Sequence, residues 1–249
     1  QPKPFSNKVL DRVPEISLTW YFAFERIIRP NIQLGMRKMP DFSYEDAALA
    51  SGHDLICGID EAGRGPWAGP VAAAAVILDR AALPPGLVEG LDDSKKLKPA
   101  RGRELFDHLQ GVAVIGVGLA DVAEIDELNI LAATMLAMTR AVEGLGVPPD
   151  VALIDGNRGP NLDCPVQCVV KGDGKSLSIA AASIVAKVTR DRIMADLAVS
   201  FPGYGWERNA GYPTKEHHIG LRNHGVTPHH RRSFKPIHHI LYQEKTVSR

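Results

Sequence analysis

The sequence predicts an α/β domain built on a mixed sheet, and three observations predict it. Two short apolar runs, Leu55 to Asp60 and Val71 to Leu78, flank Gly63-Arg64-Gly65-Pro66, the pattern of two strands joined by a turn. Later apolar runs alternate with stretches of helical period. A long Ala-rich stretch, Lys175 to about Val199, has side chains small enough to lie close against a sheet. Strands first in a meander and then alternating with helices specify α/β.

In chain order, Lys98 to Gln110 reads as a helix and Val112 to Leu119 as the third strand. A longer helix follows, with Ile125, Leu128, Ala132, Met135, Thr139 and Val142 at spacings of three and four. Val151 to Ile154 and Val166 to Val170 are the fourth and fifth strands, and the Ala-rich helix comes after them. Residues 1 to 50 differ in texture. Seven Lys or Arg stand there against three Asp or Glu before Pro40, and no period persists. They are read as an N-terminal extension, disordered or non-native, with the catalytic domain at 51–249.

A chain of 249 residues needs neither disulfides nor structural metal to bury a large core. The 29 basic and 29 acidic residues cancel, so any cationic face must come from local clustering. Cys57, Cys164 and Cys168 are too few for a disulfide framework, and Cys57, inside a strand, is expected as a buried thiol. No apolar stretch approaches about 18 residues, and Leu18 to Phe24 lacks the features of a secretory signal. A cytoplasmic protein with no membrane partner is expected.

The informative feature is where the acids fall. Asp60 and Glu61 end the first strand, Asp155 ends the fourth, and Asp173 follows the fifth, just before the Ala-rich helix. Strand ends of α/β sheets carry active sites, because the sheet is a rigid platform with loops opening at its edge. Converging carboxylates repel one another unless a cation neutralises them, and hard oxygen ligands favour Mg²⁺ or Mn²⁺. Two such ions can activate a water and stabilise the leaving oxygen of a phosphodiester. Any one of these residues could equally cap a turn or a helix; four together point to chemistry.

Several blocks, in order, resemble the ribonuclease HII family. They are Gly58-Ile59-Asp60-Glu61-Ala62-Gly63-Arg64-Gly65-Pro66-Trp67-Ala68-Gly69-Pro70-Val71, Asp93-Ser94-Lys95-Lys96-Leu97 and Ile154-Asp155-Gly156-Asn157. Lys171-Gly172-Asp173 leading into Ser176 to Ile184, Gly211-Tyr212-Pro213-Thr214 and His229-His230-Arg231-Arg232-Ser233-Phe234 complete the set. The likeness runs from about residue 55 to 236. It implies a ribonuclease H-like fold, a mixed five-stranded sheet flanked by helices with a C-terminal helical segment. It also implies two divalent cations held by Asp60, Glu61, Asp155 and Asp173, with Asp60 bridging both. By the same resemblance, Gly63, Arg64 and Gly65 sense the ribose 2′-OH, the group that separates RNA from DNA, and Tyr212 reads the substrate. Ser94, Lys95, Lys96, Arg231 and Arg232 are further substrate contacts, the four basic ones toward phosphates. The partners implied are RNA/DNA hybrids and DNA duplexes containing ribonucleotides, cut 5′ of the ribonucleotide by a monomer. The pattern departs at Asn209-Ala210, where the family often has His-Lys, which bears on the shape of that loop.

Other readings fare worse. Gly174-Lys175-Ser176 suggests a P-loop, but Val169 stands where another Gly is required. The Gly63 to Gly69 loop has the wrong spacing for a dinucleotide fold, and Pro66 intrudes. Seven of nine histidines follow residue 216, yet no His-Glu-x-x-His occurs. Adjacent histidines are expected to point apart, exposed or facing substrate. Ribonuclease HIII, or a hybrid-binding protein without catalysis, are the remaining alternatives. Gly-Arg-Gly rather than Gly-Lys-Gly favours HII, and the presence of all four acids favours an enzyme.

Overall fold

The computed structural model describes residues 39–91, 94 and 97–243. Five strands make one sheet: β1 (Ile56–Ala62), β2 (Val71–Leu78), β3 (Ala113–Ala120), β4 (Val151–Asp155) and β5 (Val166–Val169), in the order β3-β2-β1-β4-β5. The β1–β2 and β2–β3 pairs are antiparallel, and β1–β4 and β4–β5 are parallel. This is the expected mixed sheet. The helices are α1 (Ser43–Ala50), α2 (Pro85–Val88), α3 (Pro99–Leu109), α4 (Val122–Glu143), α5 (Leu177–Ser200), α6 (Trp206–Asn209), α7 (Lys215–His224) and α8 (Lys235–Gln243). None is long and apolar enough to cross a membrane.

The period of two along each strand assigns side chains to opposite faces. On β2, Val71, Ala73, Ala75 and Ile77 pack with Ala133, Ala137 and Ala141 of α4, whereas Ala74 and Val76 pack with Ala181, Ile184 and Val185 of α5. Small residues let both helices approach closely. A Cβ on Gly58 of β1 would lie 2.1 Å from the Ser178 carbonyl carbon, so α5 rests directly on that strand. Ile59, Leu153 and Ile154 are fully buried, each contributing roughly 1.5–3 kcal/mol. Cys57 is likewise buried, its thiol pushed up to about 12 by burial, as a structural cysteine.

Spacing alone predicts one unbroken helix from Ile125 to Val142, and here the structure differs. Helix α4 opens on a capping box, Asp121 Oδ1 accepting from the Glu124 N–H and Glu124 Oε2 from the Asp121 N–H. It then breaks at Asn129 (φ 70°, ψ 164°), whose Oδ1 accepts from the N–H groups of Leu131 and Ala132 and so starts a second helical segment. Residues 43–50, counted with the extension from sequence, form α1. Its buried Glu45 accepts from the Ser176 hydroxyl at 2.6 Å and from the N–H and hydroxyl of Ser178 at 2.9 and 2.6 Å. That places a carboxylate at the N-terminus of α5, where the helix dipole favours it. The extension through residue 38 lies outside the described residues.

Candidate active site

The register of the sheet explains why the acids meet. Ile59 of β1 lies opposite Ile154 of β4 on parallel strands, so Asp60 and Asp155 follow at the same level. Asp155 is itself in register with Val169 of β5, after which the chain turns through the 3₁₀ segment Gly172–Gly174 that carries Asp173. One oxygen from each of Asp60, Asp155 and Asp173 lies within 4.8 Å of the others. Asp60 and Asp173 are buried, and Asp155 is half-buried. The Gly172 N–H donates to Asp155 Oδ1 at 2.6 Å, which fixes the turn against the strand.

Burial, then the neighbouring carboxylates Glu61 and Asp155, raise the Asp60 pKa well above the ordinary carboxylate range, while bonds from Ser183 and the Glu61 N–H oppose them. A cluster that penalises its own ionisation this way suits a divalent cation, and three hard oxygen donors fit Mg²⁺ or Mn²⁺. Glu61 stands beside the three, with one oxygen 3.3 Å from Arg64 Nη1.

Next to the acids is a cleft of about 510 Å³. Glu61, Gly63, Arg64, Gly65, Ser94 and Tyr212 line it, with Lys187 and Arg190 of α5. Five of the nine substrate residues expected from sequence therefore share one cavity with an acid of the site. Tyr212 is 43% exposed, and a Cβ on Gly65 would sit 3.6 Å from its Cε1, so the loop and the ring form two walls of one gap. Ser94 bonds Ser183 of α5 at 2.8 Å. Lys95 and Lys96 lie outside the described residues. Arg232 is exposed and does not line the cleft, its N–H being held by Asp126 at 3.0 Å.

Arg231 requires correction. It is fully buried, and its guanidinium donates to the carbonyls of Gly63, Arg64, Gly69 and Pro70 at 2.6 to 3.2 Å, so it cannot meet a phosphate. The histidines require another. The members of the His217-His218 and His229-His230 pairs differ in exposure, whereas His238 and His239 are both exposed, and His217 and His230 are fully buried instead of facing solvent or substrate. His217 Nδ1 donates to the Tyr212 carbonyl at 3.0 Å. Its Nε2 takes the Trp206 N–H at 3.2 Å and lies 3.0 Å from His230 Nε2, and His230 Nδ1 accepts from the Thr227 N–H. These bonds leave one consistent arrangement, both rings neutral and each proton placed.

Burial accordingly holds the His230 pKa down, to about 3, and lowers that of His217. A histidine depressed in the folded state binds fewer protons there than in the unfolded chain. Its contribution is intact above about pH 6.5 and is lost toward pH 3, at up to about 1.4 kcal/mol per pH unit. Melting temperature followed from pH 7 to pH 4 should fall less steeply in His230→Gln than in the unaltered protein. Parallel curves would remove the buried neutral pair as the cause.

The departure at Asn209-Ala210 also resolves. Asn209 Oδ1 accepts from the Gly211 N–H at 2.9 Å, and its Nδ2 donates to the Tyr204 carbonyl and the Thr214 hydroxyl. Ala210 takes a left-handed φ of 48°. The asparagine thus shapes the turn that presents Tyr212. The sequence marked this pair as bearing on the shape of the loop, but it did not single out Ser183, Lys187, Arg190 or Asp126.

Strand-end acids converging on a mixed sheet, beside a cleft with a glycine-rich wall, define a nuclease of the ribonuclease H-like class. The sequence profile of Ribonuclease HII matches residues 57–237. A ribonuclease HII of Ruegeria pomeroyi is 58% identical over 224 residues, 90% of this chain and 94% of that protein. One of Paramagnetospirillum magneticum is 62% identical over 183 residues, 74% of this chain and 91% of that one. Among solved structures, the ribonuclease H2 of Pyrococcus horikoshii superposes with a TM-score of 0.64 at 27% identity, covering 79% of this chain and all of the other. The chain belongs to the ribonuclease HII family, whose members are RNA/DNA-hybrid endoribonucleases.

Proposed function

We propose that this chain hydrolyses the phosphodiester on the 5′ side of a ribonucleotide, both in RNA/DNA hybrids and at ribonucleotides embedded in duplex DNA. The meeting of Asp60, Asp155 and Asp173 within 4.8 Å, at the edge where three parallel strands end, carries the reading. These three and Glu61 would hold two divalent cations, Mg²⁺ or Mn²⁺, which when bound lower the pKa of an attacking water and stabilise the departing oxygen. The chain supplies the rest. Buried Asp60 and Asp173 keep the carboxylates in a water-poor setting where their charges act strongly. Glu61 is steadied by Arg64, and Gly65 and Tyr212 stand side by side on the wall of the cleft that would receive the ribose. The Tyr212 ring packs on the sugar and its hydroxyl is a hydrogen-bonding group for the 2′ position. Arg64 and Lys187, on the cleft walls, are placed to meet phosphates. The bond broken is that to the 3′ oxygen of the preceding nucleotide, leaving 3′-OH and 5′-phosphate ends.

A labelled DNA duplex with one ribonucleotide, incubated with Mg²⁺, Mn²⁺ or chelator, tests this. Cleavage just 5′ of the ribonucleotide, dependent on metal, is expected. Binding without cleavage under every metal condition would leave a hybrid-binding protein, and cutting of long hybrids alone would point to a ribonuclease HIII-like activity.

A further inference from the structure

Two arginines that the chemistry does not use sit beneath the cleft. Arg190 of α5 is 1% exposed and Arg231 is fully buried. Guanidinium groups at such depth ordinarily pair with carboxylates. Among the described residues, every hydrogen bond that either makes goes to a main-chain carbonyl. Arg190 donates from Nε to Pro70, from Nη1 to Ala210 and from Nη2 to Ala68, at 2.9, 2.9 and 3.1 Å. Arg231 takes Gly63, Arg64, Gly69 and Pro70. Burial lowers both, to about 10 and about 9, and in Arg231 the nearby Arg190 charge adds to the effect.

The carbonyls chosen belong to two segments far apart in sequence. One is the loop from Gly63 to Pro70, and the other is the turn at Ala210 that presents Tyr212. Pro70 is shared by both arginines. We infer that Arg190 and Arg231 are positioning residues that lock the Gly63–Gly65 loop and the Tyr212 turn into one frame, so setting the width of the gap that discriminates the ribose. The two loop glycines then have different tasks. Gly63, buried with φ +95°, would place a Cβ 1.9 Å from Arg190 Nε, so the guanidinium occupies the room that its missing side chain leaves. Gly65, exposed, faces Tyr212 across the gap. Lysine cannot replace either arginine, because an ammonium lacks the planar fork that reaches three or four carbonyls at once.

This rests on the proposed reading of Gly65 and Tyr212 as the ribose clamp, and the experiment separates the two. Arg190→Lys, Arg231→Lys and Tyr212→Ala are compared, each confirmed folded by circular dichroism at the assay temperature. The selectivity measured is the ratio of kcat/KM on a single-ribonucleotide duplex to that on a long hybrid, together with the position of the cut. Both lysine variants are expected to lower the ratio about tenfold and scatter the cut site, since displacing a positioned group by about 1 Å costs up to about a hundredfold. A folded lysine variant with unchanged ratio and cut position, beside a Tyr212→Ala that shifts both, overturns the inference. An unaltered Tyr212→Ala overturns the clamp reading and the inference with it. Should one lysine variant not fold, the other still decides, because Arg190 ties the loop at Ala68 and Pro70 to the turn at Ala210 while Arg231 holds the loop itself at Gly63, Arg64, Gly69 and Pro70, and an unchanged ratio and cut position in either folded variant overturns the inference.

Discussion

Asp60→Asn is expected to lower metal-dependent cleavage by about a thousandfold or more, the loss of roughly 4 kcal/mol from the barrier. It should also raise the melting temperature in chelator. Asp60 is 3% exposed on a central strand, and its charge is opposed by burial and by Glu61 and Asp155. The amide preserves the shape and keeps an oxygen for the Glu61 N–H, which donates to Asp60 Oδ1 at 2.7 Å. It removes one of the charges that repel. Each kcal/mol of relieved repulsion is worth about 2–4 °C in a chain of this size. Addition of Mg²⁺ or Mn²⁺ should then stabilise the unaltered protein more than the variant. Opposite movements of activity and metal-free stability are the mark of a site built for a cation, because a merely structural aspartate would lose stability when neutralised. Near-normal, metal-dependent cleavage by Asp60→Asn would place the centre elsewhere.

The strands and the site acids were legible in the sequence for a common reason. Apolar runs of strand length end where the sheet ends, so Asp60, Asp155 and Asp173 could be read as edge residues before any pairing was known. Their convergence needed the β1–β4 register, which no single strand encodes. The break at Asn129 was hidden because apolar spacing continues across it, and only the side-chain cap reveals the second start. The buried arginines were the least legible. Their partners are carbonyls, which every residue carries, so nothing in the neighbouring sequence marks them. Arg231 and Arg232 looked alike as a basic pair, but Ala68 and His230 form an antiparallel bridge there. That bridge holds Arg231 against the loop, its N–H donating to the Trp67 carbonyl, and the chain then turns at Arg232, closed by the Phe234 N–H on the Arg231 carbonyl, so one arginine goes under the loop and the next into solvent.

Gly65→Ala is expected to reduce cleavage about a hundredfold while the melting temperature moves by no more than about 1–2 °C. A methyl there meets only Tyr212 Cε1, at the ordinary contact distance of 3.6 Å, and Gly65 does not use a left-handed backbone, so the fold has no reason to change. What changes is the gap, because the methyl occupies space that the sugar needs. Gly63→Ala, two residues earlier in the same motif, should behave in the reverse manner. Its methyl would collide with Arg190 at a backbone φ of +95°, and the combined overpacking and strain should cost about 3 kcal/mol or more. Activity in Gly63→Ala would fall along with stability, whereas in Gly65→Ala it would fall alone. Thermal melts and single-turnover cleavage of the two variants, measured side by side, distinguish a glycine required by the interior from one required by the substrate. If Gly65→Ala cleaves like the unaltered protein, the gap between the loop and Tyr212 is not where the ribose is read.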